Sequence, residues 1–268
     1  MLLDTLGDYL RTRRLGHVAR GFATLASTMD EAAAWAADGA PHGALVTAEA
    51  QTAGRGRHGR TWHGTPGANL HLTLVLRPRL ARRRWGLLAI AAGLGVLDGT
   101  ALHLPATGGR LSLKWPNDVL LHRKKLAGVL VETRSDAALL GIGVNVNEAA
   151  FPDPLADRAT SLRLALGGNA GDTEAGNTES IDRTALLASV LLALETRLDA
   201  LDADAAGVLA DAERRLAGLD GAVTVRAPDG TALHTGLVLG LAPDGGLRLD
   251  TGTGEVVVHA GEVTLSGV

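Results

Sequence analysis

The chain of 268 residues has no cysteine. That excludes disulfides, thiolate zinc sites and cysteine nucleophiles, and it suits a cytoplasmic protein. Aromatic residues are scarce, with four Trp, two Phe and one Tyr. The core must therefore be built from Leu, Val, Ile and Ala. No apolar run reaches the length of a membrane span. The first twenty residues, with Asp4, Asp8 and several Arg, do not read as a signal peptide. A net charge of −3 supplies no global basic field to recruit nucleic acid. Lysine is the most informative shortage. There are three, Lys114, Lys124 and Lys125, against twenty-three arginines. Arg is a flat, delocalised fork and Lys a compact point charge. The one stretch that keeps Lys is a candidate site for an ammonium.

The remaining composition, 46% hydrophobic and 21% charged, is that of a globular protein with room for one large domain or two. Residues 4–15 read as a short helix carrying Arg11, Arg13 and Arg14. Ser27 or Thr28 is expected to cap a helix through residue 38, with Asp30 and Glu31 at its positive end. Strands are expected at 21–25, 44–49 and 69–76. In the last, Leu70, Leu72, Leu74 and Leu76 alternate with other residues. Residues 84–102 read as an amphipathic helix. Four closely spaced strands, 111–115, 118–121, 126–132 and 137–146, form a meander. The sheet is therefore expected to be antiparallel or mixed, and helices before and after it point to α+β. Residues 166–180 lack apolar periodicity and read as a mobile surface loop. A long helical segment, 181–219, is expected to break near 205–207. From Gly221 five short β-runs follow, which places a boundary between units 1–219 and 220–268.

Four segments carry chemistry. Gly54-Arg-Gly-Arg-His-Gly-Arg60 follows a strand. Its glycines let backbone approach a ligand, and its arginines offer forked donors to phosphate or carboxylate. It lacks the Gly-Lys-Ser/Thr ending of a phosphate-binding P-loop. A single copy between strands also differs from the long repeats of RNA-binding Arg-Gly segments, and a merely solvated loop is the plain alternative. Lys114-Trp-Pro-Asn-Asp118 sets a lysine and a carboxylate around a proline-fixed turn. Asp118 suits magnesium or a nucleotide hydroxyl, unless the segment is only a hairpin turn. Lys124-Lys-Leu-Ala-Gly-Val-Leu-Val-Glu132 opens a strand with Lys125, and Gly128 allows close approach. Gly141-Ile-Gly-Val-Asn145 is an apolar strand with two glycines. His58, His63 and His71 match no metal-site spacing.

Taken in this order, the four segments resemble the biotin–protein ligases (biotin–[acetyl-CoA carboxylase] ligases), over residues 24–162. The resemblance implies a class II synthetase-like catalytic domain with a mixed sheet, followed by a small SH3-like β-barrel. It implies two reactions. Biotin and ATP give biotinyl-5′-AMP and pyrophosphate, and biotin then passes to a lysine of the biotin carboxyl carrier protein of an acyl-CoA carboxylase. No enzyme nucleophile is needed, which fits the absence of a nucleophile–base pair.

By the same resemblance Ser27, Thr28 and Gln51 meet the ureido ring of biotin. Met29 stands where the family has Asn. Gly54, Arg55, Lys125, Gly128 and Gly143 complete the biotin site. Arg55, Gly56, Arg57, Arg60, Lys114, Asn117, Asp118 and Asn145 face the nucleotide, and Asp118 holds Mg²⁺. Lys125 and Arg57 are the expected catalytic residues, Arg57 by restraining release of the intermediate. Trp62 is read as lid or core, and Lys124 as a solvated neighbour. Biotin and ATP are substrates, with no prosthetic group. The short stretch before the first strand predicts an enzyme without the DNA-binding domain of some members. It is expected to be monomeric or a weak, ligand-induced dimer, without nucleic-acid or membrane partners. The alternatives are a lipoate or octanoyl transferase of the same fold, and a biotin-responsive regulator.

Overall fold

The computed structural model describes residues 1–105, 110–167, 180–219 and 221–265. Seven strands form one sheet: β1 (Ala19–Leu25), β2 (Ala44–Gln51), β3 (Leu70–Leu76), β4 (Leu111–Lys114), β5 (Asp118–Leu121), β6 (Lys124–Arg134) and β7 (Ala137–Val144). Their spatial order is β1-β2-β3-β7-β6-β5-β4. β1 and β2 run parallel and the other neighbours antiparallel, so the sheet is mixed, as expected.

Helices cover both faces. Ser27 caps α2 (Thr28–Ala37) by accepting the Met29 N–H. This helix sets Met29, Ala32 and Trp35 against Val46, Val75 and Leu139. The opposite face, with Leu45, Leu72, Leu74 and Leu140, packs on α3 (Leu87–Ala101) and α5 (Arg183–Ala203). Two covered faces explain why all seven residues of β3 are buried, although the sequence there reads as a half-buried alternation. Likewise α3 is not amphipathic: twelve of its fifteen residues are buried. It is enclosed by the sheet and by α5, which it meets at Gly95 and Gly99. A Cβ on Gly99 would stand 2.5 Å from Val190 Cα, and one on Gly95 2.8 Å from Leu194 Cα. The two backbones are that close because neither glycine has a side chain.

The N-terminal helix α1 spans only Leu6–Tyr9. Arg11, Arg13 and Arg14 lie beyond it, contrary to the sequence reading. A buried carboxylate holds the segment that follows. Glu195 of α5 accepts the backbone N–H groups of Arg13, Arg14 and Leu15 at 2.7, 2.8 and 3.2 Å. Burial alone would push its pKa up, but these three donors hold it below the usual value. After the short α4 (Leu162–Leu166), residues 168–179 lie outside the described residues, and with them most of the expected 166–180 loop. The long helical segment breaks at Asp204, whose carboxylate accepts the Gly207 N–H at 3.0 Å and starts α6 (Ala205–Glu213).

The tail forms five strands, β8 (Ala222–Arg226), β9 (Ala232–Leu241), β10 (Leu247–Asp250), β11 (Glu255–Val258) and β12 (Glu262–Leu265), in an antiparallel sheet of order β11-β10-β9-β8-β12. This is the small SH3-like unit. Its inner residues Val223, Leu249 and Val263 join the same core as α3. Two polar contacts fix its seat: Trp115 Nε1 donates to Gly245 O at 2.9 Å, and Leu241 N donates to Glu213 at 2.6 Å. No described helix is long and apolar enough to cross a membrane.

Overpacking at a helix crossing costs about 1–3 kcal/mol. Gly99→Ala is expected to lower stability by that amount in urea unfolding. Gly86→Ala, where a Cβ would meet nothing within 4 Å, should change it little.

Candidate active site

One end of the seven-stranded sheet and the rim of the C-terminal sheet enclose a cleft of about 760 Å³, within the range of small-molecule sites. The cleft has a neutral polar corner, an apolar floor and a cationic end.

The neutral corner forms where β1 hands over to α2. The parallel register sets Leu25 beside Gln51, so the helix cap meets the end of β2. Gln51 Oε1 accepts both the N–H and the hydroxyl of Thr28, at 2.8 and 3.1 Å. Thr73 on β3 donates to Thr28 Oγ1 at 2.9 Å. These bonds fix the Gln51 amide with its oxygen used. Thr73 is a buried support of the site, not part of its lining, that sequence reasoning missed, because only the pairing of β2 with β3 brings it here. Met29, buried, lays its thioether against Gly141 and offers an apolar wall.

The floor comes from β6 and β7, where Gly128 pairs with Gly143. The Trp62 indole lies across this pair. A Cβ on Gly143 would overlap the ring, and one on Gly128 would stand 3.0 Å from it. The two glycines were read as making room for a ligand; in this structure they make room for Trp62. Lys125 Nζ stands 5.4 Å from the ring centroid, within cation–π range.

At the cationic end the 54–60 loop folds back on itself. Gly56 N donates to Arg60 O at 2.7 Å and Trp62 N to Gly54 O at 2.9 Å. His58, with φ of 57°, takes the left-handed turn. Gly54 does not line the cleft; it packs beneath Gln51, whose Nε2 would be 3.0 Å from a Cβ there. Each arginine already has a protein partner. Arg55 forms a two-pronged pair with Asp30 at 2.8 Å per prong. Arg57 Nη1 donates to Asn117 Oδ1 at 3.3 Å and to Gly261 O at 3.2 Å. Arg60 pairs with Glu262. None of these acids and carbonyls was legible beforehand, since Asp30 reads as a helix-end charge and residues 261–262 lie some two hundred positions away.

The 114–118 turn is held from both sides. Lys114 pairs in register with Asp118. The Asn117 amide donates to Val129 O at 2.7 Å, so its donor is spent on β6 rather than directed at the cleft. Lys125 Nζ lies 2.8 Å from Asp118 Oδ1, an oxygen that is buried and makes no aligned hydrogen bond among the described residues. Burial pulls the Lys114 pKa down, and the Asp118 carboxylate opposes this only in part. Asn145 was expected near phosphates. Its amide instead donates to Thr160 O at 3.0 Å and Lys125 O at 3.4 Å, bracing the backbone that carries Lys125. Lys124 reaches the Ala156 carbonyl at 3.2 Å, away from the cleft. His71 is buried on β3 and kept neutral by burial. Ser27, Thr28, Gln51, Arg55, Gly56, Arg57, Arg60, Lys114, Asn117, Asp118, Lys125, Gly128, Gly143 and Asn145 thus all line one cleft.

Residues 21–147 match the Biotin/lipoate A/B protein ligase family, and residues 219–266 match the Biotin protein ligase C terminal domain. The chain is 37% identical to the biotin–[acetyl-CoA-carboxylase] ligase of Mycobacterium tuberculosis, over 88% of this chain and 85% of that one. It is 33% identical to the bifunctional ligase/repressor BirA of Bacillus subtilis, over 96% of this chain and 76% of the relative. Its fold superposes on the biotin protein ligase from Aquifex aeolicus in complex with biotin and ATP with a TM-score of 0.77 and 27% identity, covering 92% and 98% of the two chains. The matched segments take in both sheets, and the likeness to a named ligase runs through most of both chains; this chain belongs to the biotin protein ligase family.

Proposed function

We propose that this protein activates biotin with ATP and transfers the biotinyl group to a lysine of a biotin carboxyl carrier protein. One observation carries the reading. A single cleft, with Trp62 lying on its Gly128–Gly143 floor, joins the Ser27–Thr28–Gln51 polar corner to the Lys114–Lys125–Arg57 cationic end. An amphiphilic acid with a polar ring at one end and a carboxylate at the other fits that order, in a family with a member captured with biotin and ATP.

The chemistry needs no enzyme nucleophile. A biotin carboxylate oxygen attacks the α-phosphorus of ATP, and pyrophosphate leaves with the electron pair. The carrier amine then attacks the acyl carbon, and AMP leaves. The protein positions the reactants and stabilises charge. Gln51, with its oxygen held by Thr28, presents its amide to the ring. Lys125 sits between floor and phosphates, where a compact ammonium can neutralise both the carboxylate and the α-phosphate. Arg57 and Lys114 take the remaining phosphate charge. Asp118 would hold Mg²⁺ in exchange for its Lys125 contact: its buried Oδ1 has no aligned hydrogen bond among the described residues, and one carboxylate plus water and phosphate oxygens suits that ion. When bound, the ion would neutralise phosphate charge. In this reading residues 1–219 hold both substrates and residues 220–268 close the rim. Asn145 acts through the Lys125 backbone.

The first test is biotin-dependent exchange of pyrophosphate into ATP, followed by transfer to a purified carrier domain. Exchange driven by lipoate or octanoate and not biotin would replace this reading with the other activity named in the family.

Lys125→Arg keeps charge but loses compactness. Adenylate formation should fall at least about tenfold, the effect of losing roughly 1.4 kcal/mol in the transition state. Near-normal exchange would remove Lys125 from this role. Arg57→Gly should still make adenylate but release it, read as biotin on bystander lysines. A third outcome concerns pH. Because burial lowers the Lys114 pKa, its ammonium is lost at a lower pH than the ordinary lysine value of 10.5. KM for ATP should therefore rise on the alkaline side before free lysine titrates. In Lys114→Met that limb should vanish, with KM raised throughout.

A further inference from the structure

The arginine loop and the C-terminal sheet meet at one place. Arg60 pairs with the Glu262 carboxylate, and Arg57 donates to the Gly261 carbonyl at 3.2 Å. Both partners sit where β12 begins. Gly261 has φ of +129°, and a Cβ there would press on Val225 Cγ1 at 2.6 Å and Arg226 O at 2.9 Å. A glycine is required for the chain to turn here and aim its carbonyl at the loop. The next residues of β12, Val263 and Leu265, are buried and face the same cleft. The edge that holds the loop is thus anchored in the core.

Charge points the same way. Burial would push the Glu262 pKa up, but Arg60, Lys114 and Arg57 together hold it below the ordinary carboxylate value. One acid from the second sheet therefore faces three cations, two from the 54–60 loop and one from β4. Arg57 is also tied to Asn117, so the loop is bound to the 114–118 turn and to β12 at once.

We propose that the Gly261–Glu262 edge is a latch that holds the arginine loop closed over the cleft and so retains the activated acyl-adenylate until a carrier lysine arrives. The inference rests on the ligase reading. Glu262 is a positioning residue: it acts on the loop, and the loop acts on the intermediate. The C-terminal sheet then contributes to selectivity for carrier over bystander amines, although no residue of it reacts. The Arg60–Glu262 pair is partly open to water, with side chains 54% and 30% exposed, so its effect is modest.

The test uses the full-length enzyme with Glu262→Gln, which keeps shape and removes charge, and with Glu262→Lys, which adds repulsion. Free biotinyl adenylate is measured after a burst of ATP and biotin, together with biotin on a bystander protein rich in lysine. A parallel arm needs no substrate: brief trypsin treatment, with cuts after Arg57 and Arg60 located by mass spectrometry. Release, bystander labelling and loop cutting should each rise up to about fivefold in Glu262→Gln, the range of one exposed ion pair, and further in Glu262→Lys. A general loss of stability would instead lower the thermal midpoint and raise cutting throughout the chain. Normal exchange with wild-type retention in both variants would overturn the latch and leave the ligase reading standing. Absence of biotin-dependent exchange in the unsubstituted enzyme would overturn the ligase reading. The trypsin arm would then still judge the contact: unchanged cutting in the variants overturns it.

Discussion

Four cations, Arg57, Arg60, Lys114 and Lys125, are gathered at one end of a cleft, and the cost of holding them together governs the rest of the arrangement. Like charges at close range in a half-buried setting repel by several kcal/mol unless they are paired. Here the pairing is distributed. Asp118 serves Lys125 and opposes the loss of the Lys114 proton, Glu262 serves Arg60 and lies near Arg57 and Lys114, and Asn117 and Gly261 offer oxygen to Arg57. The partners come from two segments far apart in the chain, 117–118 and 261–262, so the cationic end exists only if β5, the 54–60 loop and the C-terminal sheet are all in place. Phosphates, which bring negative charge of their own, can enter such a site by exchange of partners rather than by a large rearrangement.

The same dependence ties stability to chemistry. Trp115 follows Lys114 and donates to Gly245 in the turn between β9 and β10, so the turn that carries site residues also carries the interface. Glu213 fixes the other side of that interface. Asn145 ties the Lys125 backbone to residue 160. Side chains in these motifs therefore divide into those that face the cleft and those that hold the first group still. Lys114 and Lys125, the latter paired with Asp118, belong with the cleft-facing side chains, and Asn145 and much of Asn117 are of the second kind. The flat floor beneath them depends on paired glycines, where any Cβ would meet the Trp62 ring.

Much of this was legible in the chain. Ser27 before Thr28, Asp30 and Glu31 marked a helix start, because a capping hydroxyl and acids satisfy the free N–H groups there. The change to short β-runs from Gly221 marked the C-terminal strands. Three lysines confined to one stretch singled out that stretch, and two of them, Lys114 and Lys125, line the cleft. What read wrongly has a common cause. The 84–102 segment and β3 were expected to show one wet face, but both are enclosed by elements distant in sequence, and periodicity cannot report what packs on the second face. Arg11, Arg13 and Arg14 read as a helix face, but Glu195, far along the chain, holds the backbone of Arg13, Arg14 and Leu15 outside any helix.

Local sequence, then, determined the helix cap, the turns, the strand meander and which residue types carry charge, since each depends on near neighbours in the chain. Tertiary structure decided the rest: that Thr73 fixes Thr28, that Trp62 lies on Gly128 and Gly143, and that Arg57 and Arg60 meet Gly261 and Glu262. Such pairings join residues dozens to hundreds of positions apart. Their energy is gained only after the intervening chain has folded, so no local pattern encodes them.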